Sequence, residues 1–175
     1  MLYQSSKLDM TIAVLAHEKT MSDIKRTFDS FANLQFDYKR ILCVSEQSEI
    51  SSPIFDNTVL CKSGNCMTSL IDAACKIAKT EWLFFVFAGS YMPKNADNKN
   101  SKYAQDYKDV VFPVVNRQWN FVDATMNGLL ISKQFHQEVG DFGSGNQLDI
   151  TKLIWADRAI QKGVKFKAIV GAKLT

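Results

Sequence analysis

The chain has 175 residues, 46% of them hydrophobic and 22% charged, with a formal net charge of +3 and a pI near 8.6. That length and balance suit one globular domain, 1–175, with a sizeable core. No apolar run is long enough to span a membrane, and the mild positive charge suits an anionic ligand such as a nucleotide while being too weak to argue for DNA or RNA. The first residues, MLYQSSKLDM, lack the basic and apolar regions of a secretory signal, so the expected compartment is the cytoplasm. The four cysteines agree. Cys61 and Cys66 have no histidine close by in sequence, and no paired CxxC spacing occurs, so reduced thiols are expected rather than a zinc site.

Met10–Ala16, MTIAVLA, is a short apolar run of the kind a buried strand shows. Thr20 followed by Asp23 makes a capping box that opens a helix, and Ile24, Phe28 and Phe31 then recur at helical spacing. Arg40–Ser45 reads as a second buried strand and Asn57–Cys61 as a third, short one. Ser69 with Asp72 caps the next helix, whose apolar stripe is Leu70, Ala73, Ala74, Ile77 and Ala78. Trp82–Asn95, WLFFVFAGSYMPKN, carries the most information: a fully apolar run that stops at a small polar turn. A strand buried on both faces reads this way, and in open α/β sheets ligands collect just outside such strand ends.

Lys94–Lys108 reads as loop or a weak helix. Pro113 interrupts Val110–Val115 and predicts an edge position or a bulge. Thr125–Ile131 reads as another strand, Ser132–Gly140 as a short helix ending at a glycine, and Gly143, Gly145 and Asn146 as a flexible loop. Thr151–Lys162 is a helix with Gly163 at its C-terminal cap, and Val164–Ile169 a last strand. Strands alternating with helices in the first half predict a parallel sheet. The less regular second half makes the expected fold a single α/β domain with a central mixed, mostly parallel sheet flanked by helices.

Five segments, in this order, resemble glycosyltransferase family 2 and its GT-A fold. They are Thr11–Glu18 (TIAVLAHE), Val44–Ser48 (VSEQS), Ala73–Phe85 (AACKIAKTEWLFF), Asn127–Phe142 (NGLLISKQFHQEVGDF) and Arg158–Phe166 (RAIQKGVKF). The resemblance implies a nucleotide-sugar donor and transfer of its sugar to a hydroxyl acceptor. It implies donor contacts from Ala16, His17 and Glu18, from Ser45 and Glu46, and from the turn Ala88, Gly89 and Ser90. Two departures stand out. The family's Asp-x-Asp falls at Phe87-Ala88-Gly89, which offers no side-chain oxygen to a divalent cation; a metal is therefore doubtful, and Ser90 is the nearest polar replacement. The Glu-Asp pair that supplies the catalytic base falls at Thr151-Lys152.

Asp149 is the best surviving base candidate, with Asp157 beside the arginine and His136 as the others; the plainer alternative is that Asp149 caps the following helix. His17 and Glu18 follow a strand end and would meet the base or ribose, or else are loop residues before a helix. His136, on a short helix, reads as a surface or packed histidine. Trp82 and Trp155 read as core. Trp119, in the polar surround NRQWN, is the acceptor-contact candidate, and Lys94, Lys99, Lys102 and Lys108 could meet phosphates or form a solvated loop. Two function classes follow. One is a family 2-like glycosyltransferase that works without a metal. The other is a binding or scaffold module that kept the fold and lost catalysis. A nucleotidyl-transfer enzyme on a similar sheet is a weaker third, because it too demands metal-binding acids.

Overall fold

The computed structural model describes residues 7–106, 111–114, 126–143, 145, 147–163, 167–170 and 174. Among them, strands β1 (Met10–Ala16), β2 (Lys39–Val44), β3 (Thr58–Lys62), β4 (Trp82–Phe87), β5 (Val111–Val114), β6 (Leu130–Ser132) and β7 (Lys167–Val170) form one sheet in the order β3-β2-β1-β4-β6-β5-β7. The first four strands run parallel to one another. β6 is antiparallel to β4 and to β5, while β5 and β7 are parallel. The helices are α1 (Met21–Ser30), α2 (Met67–Ile77), α3 (Ala96–Asp106), α4 (Lys133–Val139) and α5 (Leu148–Gln161). The expected mixed, mostly parallel α/β architecture is present.

Side chains alternate across each strand, and both faces of the central strands are covered. Ile12, Val14, Phe84 and Val86 pack with Ile24 and Phe28 of α1 and with Ala96 and Ala104 of α3. Ala13, Leu15, Leu83 and Phe85 pack with Leu70 and Ala74 of α2, Phe135 of α4 and Trp155 of α5. This is why β1 and β4 read as unbroken apolar runs: neither face meets water. Each fully buried Leu or Phe contributes about 1.5–3 kcal/mol of transfer free energy.

Several elements differ from the sequence reading. α2 opens at Met67 with Cys66 as its N-cap, and Ser69 is the third helical residue that closes the box. Asp72 is not a cap of its own helix; it lies mid-helix and is buried. Thr125–Ile131 is not one strand, because the Leu129 amide donates to the Met126 carbonyl in a turn and β6 begins only at Leu130. β5 is interior rather than an edge. Its described pairing with β6 is confined to Val111–Leu130, so Pro113, which has no N–H to give, lies beyond that ladder. α5 opens three residues before Thr151, with Gln147 as N-cap and Gly163, at φ +81°, just past its end. Lys94–Lys108 contains a true helix, α3.

Candidate functional site

β1, β2 and β4 are parallel, so Ala16, Val44 and Phe87 end on the same side of the sheet. His17 leaves β1 there, half-buried, and its Nε2 lies 2.7 Å from the Asn65 carbonyl oxygen. A carbonyl only accepts, so Nε2 carries the proton and Nδ1 of the neutral ring keeps a lone pair for another donor. Asn65 immediately precedes α2. Between them opens a cleft of about 360 Å³, lined by His17, Asn65, Cys66, Met67 and Thr68 on one side and by Gly145 and Leu148 on the other. The N-termini of α2 and α5 both reach it. First-turn amides have no intrahelical partner and carry the positive end of the helix dipole, so a cleft formed by two such ends favours an anion. Gly145 packs closely on the first turns of α5: a Cβ there would lie 2.1 Å from Thr151 Oγ1.

Cys66 caps α2 at the floor of the cleft. Burial raises its thiol pKa, but hydrogen bonding to Ser69 and Thr68 outweighs that, and the net direction is downward. Elsewhere, Cys61 on the edge strand faces Cys43 across the β2–β3 ladder. The Cys43 hydrogen bond draws the Cys61 thiol down to about 7, and the same bond, with burial, drives Cys43 well upward. All four cysteines are free.

The turn after β4 is built differently. The Gly89 amide lies 3.1 Å from the Asp23 carbonyl and 2.9 Å from Thr27 Oγ1, so α1 occupies its only donor. Thr27 Oγ1 donates in turn to the Ser90 carbonyl at 2.9 Å. Ser90 Oγ accepts from Asn127 Nδ2 at 2.8 Å, and Asn127 Oδ1 takes the Phe87 amide at 2.8 Å. Ala88 and Ser90 are buried, and Phe87 packs onto the α2 side of the core. Gly89 has φ +98°, and a Cβ there would lie 3.4 Å from Asp23 Oδ1. An aspartate at 89 would be strained and would face another carboxylate. The residues at 87–90 therefore do not fit a divalent cation: three offer no side-chain oxygen and the fourth is engaged with Asn127.

The remaining candidates are placed as follows. Glu18 is exposed, with φ +52°, in the turn between β1 and α1. Ser45 is half-buried and Glu46 exposed at the end of β2, where the Glu46 amide donates to the Gly64 carbonyl. Asp149 lies in the first turn of α5, beside cleft-lining Leu148; it is not the cap, which is Gln147. Trp119 and Lys108 lie outside the described residues. Trp82 and Trp155 are core, as expected, and His136 is packed. The structure thus brings His17 to the start of α2, while Ala88 and Ser90 are sealed beneath α1 and do not line that cleft.

Sequence reasoning missed Asn65, Thr68 and Leu148 as cleft residues. The available signal was Gly64-Asn65 between a short strand and an apolar helical stripe, which marks a strand-to-helix turn. Asp72 was misread. Its Oδ1 accepts from the Phe142 amide at 2.8 Å and lies 3.3 Å from His136 Nε2, and its Oδ2 accepts from the Gly143 amide at 2.9 Å. It fastens the segment after α4 onto α2.

Sheet order, layers and strand-end cleft define a GT-A-type fold. No family model matches the chain, and no curated protein matches it by sequence. Solved structures do match. A fragment of Staphylococcus aureus TarS, 1–349, in complex with UDP superposes with a TM-score of 0.73 at 10% identity, covering 95% of this chain and 59% of that one. The mannosyltransferase PcManGT from Pyrobaculum calidifontis, in complex with GDP-Man and Mn²⁺, gives 0.72 at 11% identity, covering 97% and 56%. S. aureus TarS in another structure gives 0.66 at 11%, covering 94% and 35%. The chain spans less than two thirds of the length of each. Among the described residues no helix is long and apolar enough to cross a membrane.

Proposed function

We propose that the chain is the donor-binding core of a family 2-like glycosyltransferase that acts as one domain in the cytoplasm. It moves a sugar from a nucleotide-sugar donor to a hydroxyl acceptor without a divalent cation at the strand-end turn. The cleft between His17 and the N-termini of α2 and α5 carries this reading. Its neighbours in fold were solved with UDP and with GDP-Man. His17 Nδ1 would accept from the base, Glu46 would accept a second base N–H, and Glu18 would meet the ribose. The diphosphate would lie against the first-turn amides of α2 and α5, whose dipoles replace the cation that Phe87-Ala88-Gly89 cannot hold.

In the transfer step Asp149 would take the proton of the acceptor hydroxyl as its oxygen bonds to the anomeric carbon. The bond from that carbon to the diphosphate breaks, and the leaving charge rests on the helix ends. Trp119 would meet the acceptor, and Ala88, Gly89 and Ser90, in the turn that α1 covers, would hold the end of β4 in place rather than touch the donor.

One observation favours a second reading, a binding module without turnover: Thr151 and Lys152 stand where the family's base pair would be. The two separate on one experiment. The purified chain is incubated with a panel of UDP- and GDP-sugars, and donor hydrolysis and transfer to polyol or sugar acceptors are followed by release of nucleoside diphosphate. Turnover that His17→Ala and Asp149→Asn abolish, with folding intact, supports the enzyme. Donor binding without turnover supports the module, and no binding of any donor refutes both.

A further inference from the structure

We propose that Asp72, His136 and Asp141 form a binding site for a divalent transition-metal cation, with zinc the best match to its donors. The carboxylate and imidazole atoms of these residues all lie within 4.8 Å of one another. His136 Nε2 is 3.3 Å from Asp72 Oδ1 and 3.9 Å from Asp141 Oδ1. Ligands about 2.0–2.2 Å from a tetrahedral ion sit roughly 3.3–3.5 Å apart, so the separations already approach those of a loaded site. One imidazole nitrogen with two carboxylates suits zinc better than magnesium or calcium, which prefer oxygen donors alone. Three protein ligands leave a fourth position for water or an exogenous group.

The ligands are held in place by the fold. Asp72 comes from mid-α2 and His136 from α4, and both are buried; Asp141 follows Gly140, the C-cap of α4, and is about half exposed. The Phe142 and Gly143 amides fix both oxygens of the Asp72 carboxylate and leave lone pairs on each. The His136 ring stacks near-parallel to Phe142 at 6.1 Å between centroids, which restrains its rotation. Entry is open: a cleft of about 340 Å³ reaches His136 and Asp141 from solvent, bordered by Cys75, Lys76 and Lys133. Without a cation, Nε2 of His136 faces Asp72 Oδ1 at 3.3 Å; binding through Nε2 requires the tautomer with the proton on Nδ1, which leaves the Nε2 lone pair for the ion.

Lys76 is the natural competitor. Its Nζ lies 2.8 Å from Asp141 Oδ2, whereas the oxygen that faces His136 is Oδ1. An ammonium on one oxygen weakens the carboxylate as a ligand without blocking it. The site is separate from the cleft at His17, and its occupancy does not depend on the glycosyltransferase reading. The segment it would fix, 141–143, leads towards Gly145 and Leu148 on the wall of that cleft.

The test is titration of the chelator-treated, reduced protein with Zn²⁺ by calorimetry, and with Co²⁺ by its visible d–d absorption. One equivalent is expected to bind. Asp141→Asn and His136→Gln should each weaken binding by at least about tenfold, and Lys76→Met, which frees Asp141, should tighten it. Asp141→Asn lies at the surface, so it reads the site even where His136→Gln perturbs folding. Absence of one-to-one binding would overturn the proposal. So would binding unchanged by Asp141→Asn, which would place the ion on the thiols instead, or binding that Lys76→Met fails to tighten.

Discussion

Gly89 shows how a single position decides what this scaffold can hold. Its φ of +98° and the nearness of Asp23 make any side chain costly, and a carboxylate most of all. Gly89→Asp is therefore expected to lower stability by about 1–3 kcal/mol in denaturant titration and to leave nucleotide binding insensitive to Mn²⁺. A stable variant with new metal dependence would show that the turn has room for a cation after all. Thiol chemistry offers a second test at this scale. The Cys61 pKa lies near 7 in the folded chain and near 9 when unfolded, so between those values the unfolded state holds the extra proton. Stability from this group is absent below about pH 7 and grows as pH rises towards 9. Alkylation should accordingly strike Cys61 first, half-maximally near neutral pH, with Cys43 and Cys75 silent until unfolding. Cys66 should label as well, and UDP or GDP should protect it alone if the cleft is the donor site. Peptide mapping by mass spectrometry distinguishes these patterns.

At the level of elements, α1 both covers one face of the sheet and closes the β4 turn. Its start is a capping box in which Thr20 and Asp23 exchange hydrogen bonds, the Thr20 amide donating to Asp23 Oδ2 at 3.0 Å and the Asp23 amide to Thr20 Oγ1 at 3.2 Å. Thr20→Ala should cost about 1 kcal/mol, measured by thermal or urea unfolding. Trp155 sits at the opposite layer, stacked on Phe142 at 4.3 Å and donating from Nε1 to the Gly140 carbonyl at 2.8 Å. Trp155→Ala should cost about 3–5 kcal/mol and loosen the segment leading to the cleft. These elements were largely legible. The capping box, the buried runs of β1 and β4 and the glycine that ends α4 are local signals that tertiary packing reinforces. Asp72 was not legible. Ser-x-x-Asp at 69–72 has the form of a helix start, and only the long-range approach of Phe142 and Gly143 reveals a buried acceptor. Nor was the interior place of β5, since a proline tolerated beyond a one-pair ladder looks the same in sequence as a proline on an edge. His17 was found because a strand end is visible in sequence. Its partners at the start of α2 were not, because they lie nearly fifty residues away.

At the scale of the whole molecule, sheet and site are specified separately. The sheet is specified by apolar alternation that buries both faces, so it persists whatever stands at its strand ends. In the proposed reading, the donor's anionic charge rests on the positive ends of two helices rather than on side-chain oxygens around a cation. Helix ends need no metal, and they are screened by salt rather than removed by chelation. The most direct measurement is calorimetric titration of UDP and GDP into the Asp141→Asn protein, with EDTA and then with Mn²⁺, so that an ion on the α2–α4 side contributes least. The account predicts binding of at least one of the two, equal in both conditions within about twofold and lost in the additional variant His17→Ala. Binding seen only with Mn²⁺, or binding of neither nucleotide, would contradict it.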